Sequence, residues 1–181
     1  WFLLAMIAFR IHSLASEVLL RPTFPWDAWA AWAVKPKAWF QLGHYAGYEP
    51  MQQWLANPGT TLRTSAIWDY PELLAWVQVW FASAVGGWNE PLINAVWLGV
   101  LVAIGLGSYG NWRVLGVAPL WAMILAYGLL SLPLIDAHVA LAGYADLWLA
   151  ATFGLAVLSW LRWLRWKEHG QLLLAVALAF C

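Results

Sequence analysis

Pro25-Trp26-Asp27-Ala28-Trp29-Ala30-Ala31-Trp32 stands at the head of residues 21–70, the one long stretch of the chain that cannot lie in lipid as a simple span. Two apolar runs frame it, and it carries Asp27, Lys35, Lys37, His44, Glu49, Arg63 and Asp69. A charged side chain at the centre of a membrane helix costs about 2.5–3.5 kcal/mol on insertion scales, so a stretch this polar stays outside the hydrocarbon. Arg21-Pro22-Thr23-Phe24-Pro25 opens it, because neither proline can donate to a helical ladder. Residues 26–34 are expected to form a short helix. Trp29, Trp32 and Ala33 share one face of it, Trp39 and Phe40 continue that face, and the pattern suits a helix lying in the membrane interface. Asp27 falls in the first turn, where a carboxylate complements the helix dipole. Pro36 kinks or restarts the helix, and the Gly, Pro, Asn and Thr of residues 41–66 predict irregular loop. A structureless loop of about 25 residues is usually functional or mobile. The expectation is a cap over an active site.

Working outward, composition sets the class. Of 181 residues, 64% are hydrophobic and 10% charged, against about 25% charged in soluble domains, and the mean hydropathy is +0.67. A soluble globular domain is excluded. Among seventeen tryptophans, Trp68, Trp88, Trp112, Trp160, Trp163 and Trp166 fall near the ends of apolar runs, where an indole meets both hydrocarbon and headgroups. The formal charge is zero, so the basic stripe that nucleic acid requires is missing. The single Cys181 excludes an intrachain disulfide. The chain begins at Trp1 and stops at Cys181, each inside an apolar run, and it is expected to be a single membrane-embedded domain, residues 1–181, of a protein truncated at both ends.

Residues 1–20 predict a first span, long enough for a hydrocarbon core of about 30 Å. Arg10, Ser13, Glu17 and Arg21 share one of its faces, which should turn toward protein, either as an ion pair joining helices or as a substrate contact. Residues 71–85, extended back to Trp68, predict the second span, residues 90–108 the third, residues 113–132 the fourth and residues 145–160 a further one, with another starting at residue 171. A weakly apolar link, residues 135–144, holds Asp136 and His138. Arg162, Arg165 and Lys167 mark a cytoplasmic end, which puts Asp146 on the outer side. Counting crossings back from Asp146 would then put the 21–70 loop inside. The conflict disappears if residues 113–144 cross twice as short helices broken at Pro133. The expected fold is therefore all-α, a polytopic transmembrane bundle with a long extracytoplasmic loop after the first span.

Asp27, Glu49, Asp69, Glu72, Asp136 and Asp146 all fall in expected loops or first turns. Carboxylates at such a border are either solvated helix caps or bases suited to take a proton from a hydroxyl nucleophile. Lys35, Lys37 and Arg63 suit a phosphate or diphosphate, or equally anionic lipid headgroups at about 1 kcal/mol each. His44 and His138 are lone histidines without zinc-site spacing. Glycine-rich nucleotide loops and a serine-hydrolase elbow are missing.

Three motifs, Pro25–Lys35, Asp69-Tyr70-Pro71-Glu72-Leu73-Leu74 and Gly143-Tyr144-Ala145-Asp146-Leu147, resemble those of the C-type membrane glycosyltransferases, in particular the protein mannosyltransferase and aminoarabinose transferase branch, over nearly the whole chain as the N-terminal half. The resemblance implies a polyprenyl-phosphate sugar as donor, attacked with inversion on the outer face of the cell (inner) membrane. It makes Asp27 and Asp146 the catalytic acids, Asp27 as general base or divalent-cation contact. Trp26, Lys35, Lys37, Tyr70 and Pro71 become substrate-binding residues, with either lysine steadying the phosphate. Tyr70-Pro71-Glu72 departs from the family's His-Pro-Pro, a single acid follows the first span instead of a pair, and Trp148 stands where a small residue is expected. Two rival classes remain: a transporter or lipid flippase with Arg10, Glu17 and Asp146 as a polar track, and a non-catalytic assembly subunit.

Overall fold

In the computed structural model, which describes residues 1–180, the long apolar runs form helices and the polar segment between the first two folds back over one end of them. The first run is α1, Phe2–Leu19. Arg21-Pro22 then ends helical hydrogen bonding, as expected. Three helices are long and apolar enough to cross a membrane: α1, α5 (Glu90–Val114) and α8 (Asp146–Trp166). α6 (Pro119–Leu130) and α7 (Pro133–Ala140) form a pair bent by 58° at the Pro133 break, a broken span or a re-entrant loop by length and composition. The last helix, α9 (His169–Ala179), folds back along α8.

Contacts fix how these helices run. Asn94 near the start of α5 donates to Thr23 just beyond α1, Gly105 lies against Leu130 at the end of α6, and Gly107 lies against Leu155 in α8. Thus α1 and α5 are antiparallel, α6 with α7 climbs back alongside α5, and α8 descends again. The core of this bundle is Leu14, Val18, Leu74, Trp97, Leu101, Ile104, Leu130, Val139 and Leu147. Between lipid-embedded helices such side chains contribute through close packing and not through removal from water. Glycines at 105 and 107 let α5 approach its neighbours, because a Cβ there would meet Leu130 and Leu155 side chains at 2.9 and 2.5 Å.

Two expectations are corrected here. Residues 113–144 do not hold two helices long enough to cross singly: α6 has 12 residues and α7 has 8, about 18 and 12 Å of helix, so together they amount to at most one bent span. Residues 68–85 likewise hold no helix long enough to cross. The helix there, α4 (Leu73–Val85), has 13 residues, roughly 20 Å. It packs beside α2 (Val34–Leu42), through Trp39–Trp76 in its first turn and Phe40–Trp88 just past its end. Glu90, which follows it, accepts from the Thr23 N–H at 3.1 Å and the Lys37 ammonium at 3.3 Å. The chain between α1 and α5 therefore leaves and rejoins the bundle at one end. With α4 removed from the count, that end lies opposite Arg162, Arg165 and Lys167 without any double crossing.

The expected interfacial helix is resolved into two pieces. Residues 28–32 form a π-helical turn (Ala28–Trp32), closed by the Ala33 N–H donating to the Ala28 carbonyl at 2.8 Å, and α2 restarts at Val34 with Pro36 in its first turn, where its missing N–H does no harm. Residues 41–66, expected as irregular loop, hold a short helix α3 (Met51–Ala56) and two two-residue strands, β1 (Tyr48–Glu49) and β2 (Arg63–Thr64), paired in parallel.

Candidate active site

Two stretches more than a hundred residues apart meet at the end of the bundle that carries the fold-back. One is the π turn, 28–32; the other is the 141–145 connection from α7 to α8. Gly143 makes the meeting possible. Its φ is +117°, a conformation that side-chain-bearing residues avoid, and a Cβ on it would lie 2.5 Å from the Ala28 Cβ and 3.4 Å from Thr23 Cγ2. From the bundle side the Trp97 indole, fully buried, donates to the Tyr144 carbonyl at 2.8 Å and packs edge-on against Trp148.

Above this seam opens a cavity of about 610 Å³, lined on one wall by Asp27, Ala31, Trp32, Ile67 and Tyr70, and on the other by Ala137, His138, Leu141, Tyr144 and Asp146. The two acids singled out in the sequence thus open on one space. Both are exposed to it, and Asp27 has no ion-pair or hydrogen-bond partner among the described residues. A π turn widens the helix by one residue and is frequent at functional sites; here it directly follows Asp27. Tyr70, packed at 5.1 Å on the Trp32 ring, completes that wall.

The other residues expected at the site are elsewhere. Trp26 is 70% exposed, edge-on to Trp29, and outside the cavity lining. Pro71 precedes α4 without lining the cavity. Lys35 is buried, with its ammonium donating to the Trp68 carbonyl at 2.8 Å and the Tyr70 carbonyl at 3.2 Å. Burial pushes that ammonium below its ordinary pKa, against the smaller opposing pull of the Glu72 and Asp69 carboxylates. Lys35 is therefore a strut behind Tyr70. Lys37 pairs with Glu90 and lines a separate surface recess with Pro22, Gln41 and Trp88. Arg63, in β2, is exposed and lines no part of the cavity.

His138 is the residue that sequence reasoning undervalued. Its Nδ1 lies 4.0 Å from Asp146 Oδ2, a charge contact longer than a hydrogen bond, and its ring stands edge-on to Tyr144. The signal was in the helix period. Asp136 and His138 are two residues apart, about 200° around α7, so Asp136 reaches back to Arg10 on α1 while His138 faces the cavity. Arg10 on α1 thus pairs with Asp136 on α7, and Arg21 pairs with Glu17 at 2.7 Å. No group of three or more His, Cys, Asp or Glu side chains among the described residues is placed to hold a metal ion. Asp27, His138 and Asp146 thus do not converge as a preformed three-ligand set.

Comparison with family models, with curated proteins and with solved structures finds no match to the chain.

Proposed function

We propose that the protein is an integral membrane glycosyltransferase that moves a sugar from a polyprenyl-phosphate carrier to an acceptor hydroxyl, in a cavity on the extracytoplasmic face. The single observation that carries this reading is the opening of Asp27 and Asp146, from distant stretches, on one cavity of about 610 Å³. The side is supported by Arg162, Arg165 and Lys167 at the opposite end of α8, a cluster of the kind that the positive-inside rule places in the cytoplasm.

In this reading Asp27, free of any competing cation, takes the acceptor proton. The acceptor oxygen forms its bond to the anomeric carbon as the bond from that carbon to the phosphate oxygen breaks. The electron pair leaves with the lipid phosphate, and the configuration inverts. Asp146 shapes the opposite wall and orients His138. Trp32 and Tyr70 offer the flat faces against which a sugar ring packs.

The test is transfer from radiolabelled polyprenyl-phosphate sugars by full-length protein in proteoliposomes. Asp27→Asn is expected to lower transfer by at least about 10²-fold, the range of a positioned general base, with unchanged membrane insertion. Transfer equal to wild type would remove the mechanism.

A further inference from the structure

We propose that His138 is the group that receives the phosphate of the lipid-linked donor, an assignment that rests on the sugar-transfer reading above. A phosphate cannot settle between two carboxylates without a cationic donor beside it. Each basic side chain that the sequence offers for this is engaged or remote. Lys35 donates to two carbonyls behind Tyr70, Lys37 holds Glu90, Arg10 holds Asp136 and Arg21 holds Glu17. Among the residues lining the cavity, His138 is the single basic one.

Its placement suits the task. The ring is held edge-on by Tyr144, and Nδ1 is buried with no hydrogen-bond partner of its own, 4.0 Å from the Asp146 carboxylate. A doubly protonated imidazole donates from both nitrogens, one N–H toward Asp146 and the other for a ligand oxygen. When the bond from the anomeric carbon to the phosphate breaks, the second negative charge appears on the departing phosphate, where this cation stabilises it. The acceptor proton meanwhile goes to Asp27 across the cavity, so the two proton-bearing groups act on opposite sides of the reacting carbon. Asp146 is then a positioning residue acting through the histidine.

Equilibrium binding of tritiated polyprenyl phosphate to the full-length protein in nanodiscs isolates the phosphate contact from catalysis. Wild type and Asp27→Asn are expected to bind alike, although the latter no longer transfers sugar. His138→Gln is expected to bind at least 10-fold more weakly, and His138→Arg, which restores a cation, to bind within about threefold of wild type. Binding by His138→Gln equal to wild type, or no recovery in His138→Arg, would overturn the assignment while leaving sugar transfer standing. No binding by wild type would overturn both.

Discussion

The two walls of the cavity are built by different physics. The wall carrying Asp27 and Tyr70 belongs to the fold-back and is held by polar contacts at the edge of the bundle: Lys35 on two carbonyls, Glu90 on Thr23 and Lys37, and the Tyr45 hydroxyl on Glu72. The wall carrying His138 and Asp146 grows out of the helical core. It rests on buried Val139 and Leu147, the Trp97 hydrogen bond and the Arg10–Asp136 pair. The lesson is that charge tightly paired here is architecture, whereas Asp27, without a partner, and Asp146, with only the long contact to His138, face the cavity. Asp136 and Asp146 are ten residues apart, and only the first has an arginine.

Breaking the seam between the walls should have the largest effect. Gly143→Val is expected to cost about 1–3 kcal/mol for the backbone conformation and a similar amount for overlap with Ala28, and to reduce sugar transfer more than 100-fold. Thermal unfolding in detergent and the transfer assay check the two parts. Undermining the core-borne wall comes next. Asp136→Leu leaves Arg10 without its counter-charge, which costs about 3–5 kcal/mol for a fully buried pair. Arg10 lies midway along α1, away from water, so a loss of about 3 kcal/mol is expected, and Arg10→Leu in the same chain should recover most of it.

The fold-back wall should respond more mildly. Lys35→Met strips the Trp68 and Tyr70 carbonyls of their donor and is expected to cost about 1–2 kcal/mol, with limited proteolysis between residues 57 and 70 accelerated. The smallest effect is expected at Trp97→Phe, which loses the Tyr144 hydrogen bond, worth about 1 kcal/mol, while most of the packing stays. Because Lys35 and Trp97 serve separate walls, their double variant should be additive within about 0.5 kcal/mol. A larger coupling would mean that the walls are one unit.

Much of this was legible in the chain. Apolar length announced α1, α5 and α8, Pro133 announced the bend, and Asp27 and Asp146 stood among six acids at the borders of apolar runs, singled out by the motifs around them. What escaped had physical causes. Residues 73–85 are as apolar as a span, and only the packing of α4 along α2 reveals that they return to the end they left. Lys35 and Lys37 look like phosphate ligands to any composition-based reading, since a strut and a ligand carry the same ammonium. His138 has no motif, because its partners, Tyr144 and Asp146, follow it only after the chain has turned from α7 into α8. The site residues were half visible for the same reason: carboxylates reveal themselves by where they interrupt hydrophobicity, whereas partners do not.

Sidedness tests the central claim most directly. Cys181 is replaced by serine, and single cysteines are placed at Asp27, Val85, Asp146 and Arg165, then labelled with a membrane-impermeant maleimide on oriented vesicles. The account predicts that positions 27, 85 and 146 label from the same side and position 165 only from the other. Labelling of 27 and 146 from opposite sides, or of 85 from the side of 165, would contradict it.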